Sequence, residues 1–236
     1  MSYFTQRDRT PILGAMSNLW RLGLLVPLLA ALAVSLSCGG GGGSAKTARL
    51  VIIDQNVLHG LINEDQAAEP YDRFAERIEL SGRALAKAQP EVATLQEIKN
   101  PGDPSVGYPD GREVLLNALG SDYQAIFGNF LAGPIDTDGV GQLTLTRLPV
   151  VSSENRSVSA IRSVVRVTIQ TEAGPVSIYN AHLEGTGAVL ETGEAAELKE
   201  IENVINFIQE TRGGGPAILA GDLNAEPGDP SIQRLL

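Results

Sequence analysis

Apolar and polar positions along this chain fall into short blocks whose period changes repeatedly. Arg49 to Val57 reads Arg-Leu-Val-Ile-Ile-Asp-Gln-Asn-Val, a β-rich run that predicts a buried strand ending on Asn56. Tyr71 to Gln89 sets Phe74, Ile78, Ala84, Leu85 and Ala88 among charged residues at helical spacing, and Pro90 closes that helix. Val92 to Gln96 predicts a second strand, which delivers Glu97. A turn-rich loop from Pro101 to Arg112 precedes a short helix over Glu113 to Leu119. Strands are expected over Tyr123 to Phe127 and Gln142 to Thr146, with another after Pro149-Val150. Ser163 to Thr171 and Val176 to Ala181 alternate apolar with polar and pair as a hairpin across Glu172-Ala173-Gly174, the second strand reaching His182.

The clearest helix is Glu194 to Glu210, where Leu198, Ile201, Val204, Ile205 and Ile208 form one apolar stripe, and Gly213-Gly214-Gly215 ends it. The apolar run Pro216 to Ala220 then carries Gly221-Asp222-Leu223-Asn224 to a turn, and Pro230-Ser231 opens one more helix. Strands clustered in runs with helices interposed predict antiparallel sheets packed face to face with helices outside, an α+β sandwich. Polar residues just after strand ends would then gather at one rim.

The first 37 residues stand apart. Arg7, Arg9 and Arg21 precede an uncharged Leu- and Ala-rich run from Leu22 to Leu36, the layout of a secretory signal and shorter than a membrane-spanning helix requires. Cys38, the single cysteine, follows that run and precedes Gly39 to Gly43 and Ser44. This resembles the lipobox of a bacterial lipoprotein with a flexible tether, although Ser35 stands where Leu is usual. The expected layout is a signal peptide over 1–37, a lipidated Cys38 and tether over 38–48, and a domain over 49–236. It places the protein in the cell envelope, anchored to a bacterial membrane, or secreted. One cysteine excludes internal disulfides.

The chain carries a formal charge of −10, which becomes −12 without the three Arg and one Asp of the leader. Such a surface disfavours non-specific nucleic-acid binding and suits an acidic cluster offset by a divalent cation. Asn56, Glu97, His182, Asp222 and Asn224 all fall just at or after strand ends. Each alone is ordinary turn or surface chemistry; together they form a candidate centre. Glu97 with Asn56 beside it suits Mg²⁺ or Mn²⁺. His182 can donate to negative charge or move a proton, Asp222 can orient an attacking water, and the Asn224 amide can donate to a phosphoryl oxygen.

The stretches Gln55-Asn56-Val57-Leu58-His59-Gly60, Gln89 to Glu97, Gly141 to Val150, Asn180-Ala181-His182-Leu183 and Gly221 to Pro227 appear in one order. In that order they resemble the endonuclease/exonuclease/phosphatase superfamily, the DNase I-like metal-dependent phosphoesterases. The resemblance implies a four-layer α/β/β/α sandwich from about Arg49 onward. It implies Glu97 as the main metal ligand with Asn56 near the metal, His182 at the phosphate, and Asp222 and Asn224 at the nucleophile and phosphoryl oxygens. The expected reaction is in-line attack of water on a phosphodiester or phosphomonoester, with a phospholipid headgroup, a sugar or inositol phosphate, or nucleic acid as substrate. Two departures follow. The superfamily's closing Ser-Asp-His is not found, since the only histidines are His59 and His182, so the domain is expected to lack its last strands. Glu194 and Glu197 replace a frequent Arg and Gln. The alternative is a non-catalytic or degenerate surface lipoprotein that binds a ligand or partner.

Overall fold

The computed structural model describes residues 30–38, 46–57, 74–102, 109–184 and 194–236. His59, most of the leader and the Gly39–Gly43 tether lie outside them. The elements in order are β1 (Ala30–Cys38), β2 (Lys46–Asn56), α1 (Phe74–Ala88), β3 (Val92–Asn100), α2 (Gly111–Leu119), β4 (Gln124–Asn129), β5 (Gly139–Thr146), β6 (Val150–Ser157), β7 (Ser163–Thr171), β8 (Gly174–His182), α3 (Glu194–Thr211), β9 (Ala217–Asp222) and α4 (Pro230–Leu235). They build one sheet in the order β1-β2-β3-β5-β4 and a second in the order β6-β7-β8-β9.

The sheets are mixed rather than antiparallel. β2 and β3 run parallel, as do β8 and β9, because α1 and α3 are crossovers that return the chain to the same end of the sheet. The remaining neighbours, including the predicted β7–β8 hairpin with Thr171 opposite Gly174, are antiparallel. Part of the apolar leader run also joins the sheet: β1 lies antiparallel on the outer edge of β2, with Ala30 opposite Asp54 and Cys38 opposite Lys46.

Period-2 alternation assigns each strand two faces and the core three compartments. Ile53, Val57, Ala93, Leu95, Leu143 and Leu145 face α1 and α2, where Ile78, Leu85, Leu115 and Leu119 complete the packing. Leu50, Ile52 and Val92 meet Val165, Val167, Ile169, Val176 and Ile178 between the sheets. Val164, Tyr179 and Ala181 turn outward to Ile201, Val204 and Phe207 of α3. The result is four layers, helix, sheet, sheet, helix.

The inter-sheet layer changes character along its length. Its apolar members Leu50, Ile52, Val92, Val176, Ile178 and Ile218 lie toward the starts of their strands. Continuing two residues at a time along the same faces gives Asp54 and Asn56, Thr94 and Gln96, Asn180 and His182, and Asp222. Thr94, Gln96 and Asn180 are fully buried, so their polar atoms need partners inside the sandwich. Thr94 finds Asp54, and Asn180 bridges the layer: its Nδ2 donates to Leu143 O at 3.1 Å and lies 3.3 Å from Leu95 O, while its Oδ1 accepts from Gln96 Nε2 at 2.9 Å.

Asn180→Ala removes the acceptor of Gln96 and a donor to the facing sheet. It is expected to lower stability by about 2 to 3 kcal/mol, as for a buried polar group left unpaired, and to lower the urea midpoint accordingly. An unchanged midpoint would mean that the two sheets are not tied through this residue.

Candidate active site

β3 does not end as a regular strand. Its pairing with β5 slips between Leu95 and Ile98, and Glu97 there takes a φ of +61°. Leu95 and Ile98 both stay in the layer facing the helices, so the bulge inserts an extra residue and lets Glu97 join Gln96 on the inner side. A left-handed backbone at a non-glycine residue costs on the order of 1–3 kcal/mol, which the flanking ladder must hold in place.

Asp222 reaches the same point from the second sheet, opposite His182 in the β8–β9 register. The preceding Gly221 has a φ of +134°, and a Cβ there would stand 1.9 Å from Ala181 O. Glycine is therefore required for β9 to lie this close to β8 at the point where Asp222 emerges. After it the chain reverses: Asn224, at φ +49°, donates its backbone N–H to Asp222 Oδ1 at 3.0 Å and its Nδ2 to Leu183 O at 2.7 Å. One hydrogen of that amide is committed to the turn, and the other remains for a ligand.

Asn56 joins the two sheets. Its Nδ2 donates to Glu97 Oε1 and to Asp222 Oδ2, both at 2.9 Å. His182 Nε2 stands 3.9 Å from each of the same two oxygens, too far for a hydrogen bond. The four residues Asn56, Glu97, His182 and Asp222 thus converge on one point, with Asn224 on the turn beside Asp222.

His182 is only 4% exposed. Burial pushes its pKa from 6.5 down to about 4, and the Arg162 charge pushes the same way against the opposing pull of Asp222. It is neutral at pH 7. Phe130 meets the imidazole edge-on at 5.3 Å, and the Arg162 guanidinium lies 4.8 Å from the centre of the Phe130 ring.

Asp54 forms the floor beside Asn56. It accepts from Thr94 Oγ1 at 2.6 Å and Gln96 Nε2 at 2.9 Å, and burial raises its pKa, with the charge of Asp222 adding to the rise. Asp54, Asn56, Gln96, Asp222, Asn224, Glu226 and Asp229 line a cleft of about 820 Å³. Sequence reasoning did not single out Asp54, Thr94, Gln96, Phe130, Asn180 or Arg162. For Asp54 and Gln96 a signal existed: each is a polar residue inside an apolar strand and on the face of an identified neighbour.

Glu97 and Asp222 offer hard carboxylate oxygens within reach of one amide group, which suits Mg²⁺ or Mn²⁺. Among the described residues no group of three or more His, Cys, Asp or Glu could enclose an ion. The fit is therefore to a cation held by one or two carboxylates, with water and substrate oxygens as its other ligands, and the Asn56 carbonyl is the neighbouring neutral donor.

None of the protein-family models and none of the curated proteins matches the sequence. Solved structures do. D. rerio TDP2 humanised by 14 mutations aligns with a TM-score of 0.57 at 19% identity over 78% of this chain, which spans 65% of the length of that one. An endonuclease/exonuclease/phosphatase family protein from Leptotrichia buccalis aligns at 0.53 and 20% identity over 78% of this chain and 70% of that one. Another from Bacteroides vulgatus aligns at 0.58 and 15% identity over 75% and 67%. The chain has the four-layer α+β sandwich fold of these endonuclease/exonuclease/phosphatase structures.

Proposed function

We propose that the protein is a metal-dependent phosphoester hydrolase that acts outside the cytoplasm by in-line attack of water on phosphorus. The observation that carries this reading is the convergence of Asn56, Glu97, His182 and Asp222, two residues from each sheet, on one point at the rim. When bound by Glu97 beside Asn56, Mg²⁺ or Mn²⁺ would polarise a phosphoryl oxygen and neutralise its charge.

The chain's own residues supply the rest. Asp222 accepts a hydrogen bond from the attacking water and aligns it opposite the leaving oxygen. Neutral His182 donates from Nε2, and Asn224 from the free hydrogen of Nδ2, to non-bridging oxygens as negative charge builds on them. The P–O bond to the leaving group breaks as the new P–O bond forms, and the water's proton passes to solvent through Asp222. Asn56 keeps the two carboxylates at a fixed separation throughout.

For the substrate, the acidic surface favours a small or lipid phosphoester over DNA. One solved structure of D. rerio TDP2, similar at 18% identity, holds a single-strand DNA product, so nucleic acid is the competing substrate class. Cys38 and the Gly run after it support a lipid anchor in the cell envelope, with secretion as the variant of that reading.

Three outcomes are expected. With bis-p-nitrophenyl phosphate and the protein as its coding sequence encodes it, turnover requires Mg²⁺ or Mn²⁺. Glu97→Ala and His182→Ala each lower kcat by at least about 100-fold. Metal-independent turnover, or turnover indifferent to both substitutions, would sink this metal-dependent mechanism, and no turnover at all would leave the ligand-binding alternative. Second, the folded-state pKa of His182, about 4, lies below its unfolded value of 6.5. The neutral imidazole thus contributes stability that is present above pH 6.5 and lost as pH falls toward 4. The drop in urea midpoint from pH 7 to pH 4.5 is expected to be smaller in His182→Gln, and equal drops would contradict a buried neutral imidazole. Third, cell fractionation is expected to find the wild type in the membrane fraction and Cys38→Ser released from it; retention of the variant there counts against the anchor.

A further inference from the structure

The rim is short of positive charge. Asp54, Asp222, Glu226 and Asp229 line the cleft, and Glu97 stands beside Asp222 on the shared Asn56 amide. A phosphoester brings at least one more negative charge to this place. Mg²⁺, if held by Glu97, would answer part of that charge, and the protein itself would still have to supply a cation beside His182.

Arg162 stands on that side. It occupies the turn between β6 and β7, where its carbonyl accepts from Val158 N–H at 2.9 Å, so its backbone is fixed next to the start of β7. Its guanidinium lies 4.8 Å from the Phe130 ring centre, and that ring in turn packs on the His182 imidazole at 5.3 Å. Stacking on an aromatic face orients a guanidinium without consuming its N–H donors.

The donors are not consumed elsewhere. Arg162 Nε is buried with no hydrogen-bond partner, and Arg162 takes part in none of the ion pairs of the described residues. Glu200, the nearby carboxylate that feels its charge, accepts from the Glu184 backbone N–H through Oε2 at 3.0 Å, and its buried Oε1 makes no hydrogen bond to Arg162. Arg156, on the same sheet and likewise stacked on a phenylalanine at 4.1 Å, shows the contrast: it is saturated by Glu154 and Glu210. A half-buried guanidinium with an unused, desolvated donor, stacked on the ring that packs against His182, is an anion site in waiting.

We propose that Arg162, held by Phe130 next to His182, is a substrate-binding residue that grips a non-bridging phosphoryl oxygen on the side of the phosphate away from Glu97. The site then approaches the phosphate from two sides, with the acidic, metal-accepting side built by β2, β3 and β9, and the cationic side built by the β6–β7 turn. Phosphate anions are thereby selected over neutral esters. This rests on the hydrolase reading for what the phosphate belongs to, but not for whether phosphate binds.

The test uses inorganic phosphate as the probe, titrated calorimetrically with Mg²⁺ present, on wild type, Arg162→Gln and Arg162→Met. Met keeps much of the apolar contact with Phe130, and urea midpoints identify which variants are folded; either folded variant decides. The Kd for phosphate is expected to rise at least about 10-fold, as for loss of a charge-assisted hydrogen bond. In parallel, KM for bis-p-nitrophenyl phosphate is expected to rise by a similar factor with a smaller change in kcat, a split that a merely structural role would not give. A folded variant that binds phosphate like wild type overturns the proposal. Wild-type turnover together with unchanged phosphate binding in the variant removes the Arg162 site and leaves the hydrolase reading. Arg162-dependent phosphate binding without turnover does the reverse.

Discussion

One amide group holds the candidate site together. The Asn56 side chain, at the end of β2, donates to Glu97 from the neighbouring strand and to Asp222 from the opposite sheet. Two carboxylates at this separation repel each other, and the shared NH₂ offsets that repulsion while fixing both oxygens. The distance between the sheets at the rim is thereby set by a hydrogen bond rather than by side-chain volume. Without it, the bulge at Glu97 and the close approach of Gly221 to β8 would deliver their carboxylates to no common point.

The sandwich pays for this polar end with the apolar remainder of the same layer. Leu50, Ile52, Val165, Val167, Ile169 and Ile178 bury their side chains between the sheets and surround the Gln96–Asn180 hydrogen bond with a water-poor interior. The local geometries that aim the functional groups are costly ones. Glu97 and Asn224 both have positive φ, at +61° and +49°. The ladder is anchored on either side of Glu97, and Asn224 is held in its turn by the bonds to Asp222 and Leu183.

Much of this was legible in the sequence. The helical stripe of α3, the alternation of β7 and β8 and the turn after Thr171 follow from side-chain period alone; β7 has the expected bounds, and β8 and α3 differ by one or two residues at an end. The residues expected at the site were placed at strand ends by the same reasoning, and Asn56, Glu97, His182 and Asp222 do meet. The parallel pairing was missed because only two of the three strand–helix–strand units join neighbouring strands, and antiparallel pairing dominates the rest of the pattern. The pairing of Ala30 to Cys38 with β2 was not foreseen, because a Leu- and Ala-rich run has no alternation to mark it as a strand. Arg162 and Phe130 were invisible for another reason. Their relevance is the meeting of a turn between β6 and β7 with the residue after β4, and no local pattern encodes that contact.

The account's central claim is that water attacks phosphorus at this rim, and an isotope measurement addresses it most directly. Wild-type protein would be given bis-p-nitrophenyl phosphate and Mg²⁺ in ¹⁸O-labelled water, and both products analysed by mass spectrometry. The account predicts one ¹⁸O in the p-nitrophenyl phosphate released and none in the p-nitrophenol. Label in the phenol, or no product above the enzyme-free control, would contradict it.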